Sequence, residues 1–261
     1  MYSSDTMRRT IRSALLIALV SSASCTTSHA QQSARYRVAS TAVLSLDRVG
    51  GDMPLVDTLT TAALLEITIT STSLSVATLA IDSLQVTSSG MVRRAPDAFV
   101  RGRSVAAVLT DGRPRITGDS LTACTAERPL AALLPELLPL LPMPLRADQQ
   151  WSDTLTVTSC RASLPVTTIS IVKYRTLTGM DSTTVLLERR ALIRAGGSIA
   201  IRDQLVSLTG TGTSEALATV LVSTRRIQSL RGVQSLDFTL TNGQQTRRMV
   251  QQITDTISML P

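Results

Sequence analysis

Apolar and polar residues alternate along most of the chain, with the two-residue period of a half-buried β-strand. In the first half this pattern predicts four strands, at residues 36–47, 64–70, 74–86 and 103–109. Gly, Pro and Asp between residues 50 and 61 predict a loop there. Asp111-Gly112 predicts a turn, after which a further strand returns from Arg115.

The second half is a more regular meander. Its pattern predicts strands at residues 151–160, 166–176, 183–194, 198–209, 213–223 and 227–240. Glycines between them predict the turns, at Gly179, Gly196, Gly197, Gly210 and Gly212. Asn242-Gly243 is the strongest hairpin signal, with positive φ expected at both residues, and residues 244–257 form the returning strand. Connections this short imply antiparallel neighbours, because parallel strands need a long crossover.

Residues 125–145 differ from both halves, because they are rich in leucine and contain five prolines, Pro129, Pro135, Pro139, Pro142 and Pro144. Pro129 suits the first turn of a helix, whereas the later prolines are expected to break one, since proline lacks an N–H. We predict one or two short helices and then an extended segment, which either separates two halves, 36–120 and 145–257, or covers one face of a sheet. Residues 31–261 are predicted to be a single β-rich domain.

Residues 1–30 have the three parts of a secretory signal peptide. A basic region with Arg8, Arg9 and Arg12 precedes a short apolar run at residues 14–20. Ser28 and Ala30 put small residues at the two positions that a signal peptidase inspects, which predicts cleavage before Gln31. The apolar run is far shorter than the ~20 residues that span a bilayer. We therefore predict an exported chain, periplasmic or secreted, with no transmembrane span after cleavage.

The three cysteines carry two further predictions. Cys25 follows the apolar run and is a candidate for lipidation, which would anchor the protein to the envelope; the alternative is its removal with the leader. Cys124 and Cys160 remain, and in an oxidising compartment an even pair predicts a disulfide. Such a bond would contribute roughly 3–4 kcal/mol in the chain-entropy model. The alternative is two buried free thiols.

The charge of the chain points away from nucleic acid. The net charge is +7, and it becomes +5 without residues 1–30, which hold three arginines and one aspartate. Lys173 is the only lysine, the arginines are scattered, and aromatic residues make up 2% of the chain. Nucleic-acid binding combines clustered cations with aromatic stacking platforms. We predict no nucleic-acid partner; the cations are expected on solvated strand faces, with weak attraction to anionic envelope surfaces as the alternative.

The predicted mature chain lacks the residues of common active sites. The only histidine, His29, lies in the leader, which excludes Ser-His-Asp and Cys-His catalysis and most zinc sites. Ser170 and Lys173 have the S-x-x-K spacing of some acyl-transfer enzymes, but residues three apart on a strand point to opposite faces. We predict no catalytic residue, metal or cofactor. An enzyme that uses carboxylates or arginine on an acidic or sugar substrate is the alternative.

Three other features carry weaker predictions. Asp148, Asp153 and Asp181 lack the spacing of a calcium loop and are predicted to be surface turn residues. Gly210-Thr211-Gly212 is predicted to be a turn, without the following helix that a phosphate cradle needs. Trp151, the only tryptophan, heads a strand after the Leu/Pro-rich segment. It is predicted to anchor the core or rim, and it is also the candidate for lining a ligand groove.

The order of these elements resembles a known family. The residues that carry the resemblance are, in chain order, Pro144-Leu145, Trp151-Ser152-Asp153, a strand with Tyr174, residues 208–212 (LTGTG) and a strand ending near Ile227. Over residues 36–257 the chain resembles uncharacterised exported bacterial β-proteins, which in turn resemble the lipoprotein carriers of the LolA/LolB type. The resemblance implies a mainly β fold: a curled antiparallel meander, an incomplete barrel, with short helices covering its concave face. The carriers have aromatics and Met on that face, whereas this chain has two Phe, and no binding residue can be carried over.

Two functions follow as expectations. The first is a non-enzymatic envelope protein that binds a lipid, an acyl chain or a lipoprotein segment in the concave face of the half-barrel. The second is a structural or interaction module of an envelope assembly, with protein partners and no small-molecule ligand. An apolar cavity of about 300–1,000 Å³ would favour the first.

Overall fold

The computed structural model describes residues 30–47, 53–71, 75–89, 102–111, 113–116, 128–142, 144–161, 164–177, 183–201, 204–243 and 245–261. Within these ranges eleven strands and one helix follow in chain order. They are β1 (Ala30–Leu46), β2 (Leu55–Ser71), β3 (Ser75–Ser88), β4 (Ser104–Thr110), β5 (Arg113–Ile116), α1 (Arg128–Leu137), β6 (Gln150–Arg161), β7 (Leu164–Thr176), β8 (Thr184–Ile201), β9 (Gln204–Leu221), β10 (Arg226–Asn242) and β11 (Gln245–Met259).

All eleven strands belong to one antiparallel sheet, in the order β5-β4-β3-β2-β1-β11-β10-β9-β8-β7-β6. The first and last strands lie side by side in its middle, where Tyr36 pairs with Met259. The sheet curls into an open half-barrel, so the predicted fold class is confirmed. Strands from both predicted halves share this sheet; the domain bounds and the signal peptide stay predictions, and residues 1–29 lie outside the described part of the chain.

The two-residue period decides which side chains enter the core. On β1, Tyr36 and Val38 are buried, while Arg35, Arg37 and Ala39 between and beside them are exposed. The same alternation puts aliphatic residues of the other long strands on the concave face. Each large aliphatic side chain removed from water contributes roughly 1.5–3 kcal/mol before the entropy of ordering is subtracted. The apolar face is therefore what makes the sheet curl around a core.

The glycines of the second half correct one prediction. Gly196, Gly197, Gly210 and Gly212 do not form turns but lie inside β8 and β9, so three long strands replace the four predicted between residues 183 and 240. A Cβ at position 197 would overlap the carbonyl oxygen of Pro165 on the neighbouring strand. Cβ atoms at positions 210 and 212 would likewise overlap side chains of β10. Glycine permits this close approach of strands, as at other tight bends in sheets.

Three smaller predictions were also wrong. The loop predicted at residues 50–61 is strand from Leu55 onwards, because pairing with β1 and β3 overrides the local Gly and Asp signals. Asn242 pairs with Gln245 and ends β10, so the hairpin turn starts one residue later, at Gly243 with φ 59°. Pro135 lies inside α1, near its end, where its missing N–H removes one backbone hydrogen bond from a ten-residue helix.

The edges of the sheet meet through a side-chain ion pair. β5 and β6 are the two edge strands, so no backbone ladder joins them in the described part of the chain. The Arg113 guanidinium of β5 lies 2.8 Å from the Asp153 carboxylate of β6, whose side chain is 4% exposed. Asp153, predicted to be a surface turn residue, is instead buried, since the odd positions of β6 face the concave side. We call the line between β5 and β6 the seam.

Candidate functional site

The concave face is covered at the seam by α1 and residues 138–142, which together we call the lid. The helix contacts β6 most extensively and also β3, β4, β5 and β10. Four leucines of the lid are buried, Leu134, Leu137, Leu138 and Leu141. The Leu/Pro-rich segment is therefore a cover over one face of the sheet, which was one of its two predicted roles.

An ion pair joins the lid to the concave side of β8, the third strand from the β6 edge of the sheet. Arg189 of β8 donates through both terminal nitrogens to the Glu136 carboxylate of α1, with an Nη2–Oε1 distance of 2.7 Å. The Arg189 side chain is 12% exposed. Burial opposes its charge, but Glu136 and a hydrogen bond with Tyr174 together raise the pKa of Arg189. Both terminal nitrogens of this buried guanidinium are therefore paired with a carboxylate, whereas its Nε–H makes no hydrogen bond within the described part of the chain.

A second carboxylate lies on the same face. Asp255 of β11 is hydrogen-bonded by Ser40, its cross-strand neighbour on β1. Burial raises the pKa of Asp255, and the negative charge of Glu136 acts in the same direction. Gly232 and Ala216 lie between Asp255 and Arg189 in the same row of the sheet, which leaves room for these longer polar side chains.

Trp151 fastens the end of the lid. Its ring stacks on Tyr174, its cross-strand neighbour, with a centroid distance of 5.2 Å and an interplanar angle of 13°. The indole Nε1–H donates to the carbonyl oxygen of Leu140 at 2.9 Å. The half-buried tryptophan thus lies at the rim with its polar edge on the lid. Its role in ligand binding stays a prediction.

Beside the lid is a cleft of about 300 Å³. It lies at the end of the sheet where β2 meets β3 and where residues 222–225 connect β9 to β10, which we call the lid end. Six of its nine lining residues are apolar. The full set is Ile69, Ser75, Leu109, Leu138, Pro139, Leu140, Leu141, Thr224 and Arg225. Two of its three polar lining residues, Thr224 and Arg225, lie on the β9–β10 turn, and the third, Ser75, lies on β3.

Of the four buried side-chain polar atoms that make no hydrogen bond within the described part of the chain, three lie at or near that turn, and the fourth is Arg189 Nε on β8. Tyr36 Oη, Thr224 Oγ1 and Arg226 Nε are buried and make no hydrogen bond within the described part of the chain. Arg226 is 3% exposed, and its Nη2 donates to the backbone oxygen of Gln32 at 2.9 Å. Burial lowers the pKa of Arg226 and raises the pKa of Tyr36 to about 12. Buried polar groups in proteins are nearly always paired, so such a group needs an explanation.

Arg225 adds a second cation at this turn. Its backbone has φ 55°, a conformation that non-glycine residues rarely adopt, and its side chain is exposed beside the cleft. Arg225 forms no ion pair with any described residue. The turn therefore places one exposed and one buried guanidinium in consecutive positions.

The other candidates from the sequence are not brought to this cleft. Ser170 and Lys173 lie on opposite faces of β7, as predicted, with Lys173 exposed. Asp148 is an exposed turn residue paired with Arg175. Cys25, Cys124 and Asp181 lie outside the described residues, so lipidation of Cys25 and the disulfide between Cys124 and Cys160 stay predictions.

Sequence reasoning missed the polar residues of the concave face. Arg189 and Glu136 could have been recognised, because both occupy positions at which the neighbouring apolar residues of the pattern point toward the core. No sequence pattern marks Arg226 or Thr224, since they lie where β10 begins and where the strand pairing shifts register between Ile227 and Ser229. Local irregularity of this kind is invisible to a two-residue period.

No family model matches the sequence, and no curated protein is similar to it in sequence. Among solved structures, a structure of lipid–protein interactions in lipovitellin is 13% identical with a TM-score of 0.49, covering 88% of this chain and 25% of that one. Pseudomonas aeruginosa OccK2 (OpdF) is 9% identical with a TM-score of 0.30, covering 89% and 100%. OpdQ from the same organism is 6% identical with a TM-score of 0.24, covering 88% and 98%. The chain spans about a quarter of lipovitellin, and at these TM-scores the likenesses carry no argument about function.

The helix in the described part of the chain is too short to cross a bilayer. Within the same ranges, no three His, Cys, Asp or Glu side chains come together as a metal site would require.

Proposed function

We propose that this protein binds a lipid-like molecule, with its apolar part in the cleft between the lid and the curled sheet. The observation that carries the proposal is the cleft itself: about 300 Å³ lined mainly by aliphatic side chains, at the lower end of the size range of ligand pockets. An acyl chain needs no aromatic lining, which agrees with a face built from Leu and Ile.

The finer form of the proposal is a non-enzymatic, exported envelope protein that works like the lipoprotein carriers. Its support is the architecture, in which a helix covers the concave face of a curled antiparallel sheet. Its cellular location rests on the sequence of residues 1–30. Anchoring through Cys25 belongs to the same proposal.

The cleft can be tested with the uncharged dye Nile red, which fluoresces in apolar surroundings. Ser75 lines the cleft and is half-buried, so Ser75→Trp should fill the space and weaken dye binding by about tenfold or more. Thr87→Trp is the matched control, because Thr87 is exposed on the same strand and does not line the cleft. Lipid extraction of purified protein followed by mass spectrometry should recover a bound amphiphile.

Two results would count against the proposal. One is equal dye binding by Ser75→Trp, Thr87→Trp and the unchanged chain. The other is the absence of any lipid from the extract together with no dye binding at all.

A second candidate function is a module that binds another protein through its convex face. It is favoured by three exposed aliphatic side chains on β7 and β8, Ile169, Ile171 and Leu192, which are 43%, 48% and 61% exposed. Ile171 and Leu192 are direct cross-strand neighbours, so these three residues form one patch. Leu192→Asp should abolish capture of a stoichiometric protein partner in a pull-down, whereas lipid binding should be unchanged.

A further inference from the structure

We infer that the ligand of the cleft carries an oxygen anion, and that Thr224, Arg225 and Arg226 bind this head group while the apolar tail occupies the cleft. The inference rests on the proposed function and names the class of molecule: a single-chain amphiphile with a carboxylate or phosphate head.

The first argument is the burial of Arg226 without an anionic partner among the described residues. Its side chain is buried, yet within the described part of the chain no carboxylate pairs with it, and its Nη2 donates to the neutral backbone carbonyl of Gln32. A buried charge is strongly disfavoured unless it is paired. An anion that enters from outside would supply the missing partner, because guanidinium groups match carboxylate and phosphate oxygens in a bidentate way.

The second argument is the chemistry of the groups near it. Arg226 Nε–H, the Thr224 hydroxyl and the Tyr36 hydroxyl are buried, can all donate hydrogen bonds, and have no acceptor among the described residues. Tyr36 is close enough to Arg226 for the positive charge to act on its pKa. Three unsatisfied donors suit a ligand with several acceptor oxygens, which a carboxylate or a phosphate provides.

The third argument is the position of the turn relative to the apolar space. Thr224 and Arg225 line the cleft, and Arg226 is the next residue along the chain. The remaining wall consists of Ser75 and aliphatic residues. Among the described residues that line the cleft, charge therefore lies at one side, as the two parts of an anionic amphiphile require.

The test compares three probes of equal chain length by titration calorimetry on the full chain: decanoate, decyl phosphate and decanol. The two anions should bind about tenfold or more tightly than decanol, since a hydrogen bond to a charged group contributes roughly 1.5–3 kcal/mol. Arg226→Met should remove this preference and leave decanol binding unchanged. Arg231→Met is the matched control, because Arg231 lies on the same strand with an exposed side chain on the convex face.

The outcomes separate the inference from the proposed function. Equal binding of all three probes, or an anion preference that survives both Arg226→Met and Arg225→Gln, would overturn the anionic head group but leave lipid binding in place. Failure of all three probes to bind, with circular dichroism showing folded protein, would overturn both. A preference for only one of the two anions would support the inference and identify the head group as carboxylate or phosphate.

Discussion

Two buried arginines of this protein differ in the groups that they pair with. On the concave side of β8, Arg189 is held by Glu136 and Tyr174 and keeps its charge. At the lid end, Arg226 is also buried, but its Nη2 donates to one backbone oxygen, that of Gln32, and no described carboxylate pairs with it. The first guanidinium has a carboxylate partner that fixes the lid to the sheet, although its Nε–H makes no hydrogen bond among the described residues. The second has no carboxylate partner in the described part of the chain, and this difference is the ground on which we infer a binding role for it.

The largest expected effect comes from removing the partner of Arg189. Glu136→Gln should lower the free energy of unfolding by about 3 kcal/mol, because it leaves a buried guanidinium without its carboxylate. Urea denaturation followed by circular dichroism measures this loss. The control is Glu188→Gln, which breaks the pair with the exposed Arg190 and should change stability by less than about 1 kcal/mol. Losses of similar size in the two variants would contradict the comparison.

The seam provides the reverse case, a buried carboxylate held by an exposed arginine. Arg113→Ala should lower the free energy of unfolding by about 2 kcal/mol, because the 4%-exposed Asp153 side chain keeps only its local backbone contact. Arg115→Ala is the control on the same strand, since Arg115 is exposed and has no ion pair among the described residues. If thermal unfolding showed the same midpoint for both variants, the seam pair would be a surface contact.

For Arg226 we expect a smaller change in the free energy of unfolding, and an increase instead of a decrease. Without ligand, Arg226→Met should raise the free energy of unfolding by about 1 kcal/mol, because an aliphatic side chain replaces an unpaired buried charge. Chemical denaturation of lipid-free protein tests this, with Arg231→Met expected to stay within about 0.5 kcal/mol of the unchanged chain. Destabilisation by Arg226→Met beyond that of the control would mean that Arg226 is a structural residue like Arg189.

The smallest expected effect is on the pH dependence of the free energy of unfolding. Burial raises the pKa of Asp255 above its ordinary value of 3.8, so the folded chain binds a proton at this group more readily than the unfolded chain. The contribution of Asp255 to stability therefore falls as pH rises through its folded pKa. Asp255→Asn should remove this dependence and be more favourable, relative to the unchanged chain, near pH 7 than near pH 4. A constant difference between the two chains across this range would contradict the shift.

Local periodicity was sufficient to predict the fold class, because each strand shows its buried face in its own residues. Tyr36 and Val38 are examples, since each is flanked by exposed neighbours. The glycines of β8 and β9 were misread because a turn and a close approach of strands require the same missing Cβ. Only the neighbouring strand distinguishes them, as the overlap at position 197 with Pro165 shows.

The candidate site could be predicted only in part. The lid was visible as a run of leucines broken by prolines, and the position of Trp151 beside it was also visible. The cleft and its cations were not, because Thr224 and Ile69 are far apart in the chain and meet only after the sheet has curled. The missing acceptors for Arg226 are a property of the assembled structure, which no local pattern records.

The placement of β1 beside β11 has a consequence for how the chain reaches this state. Each half of the sheet is a run of sequential hairpins, whereas the ladder that joins Tyr36 to Met259 spans nearly the whole described chain. Contacts of such high sequence separation slow folding, since loop-closure entropy is lost before they form. We therefore expect the ladder between β1 and β11 to form later than the hairpins on either side of it.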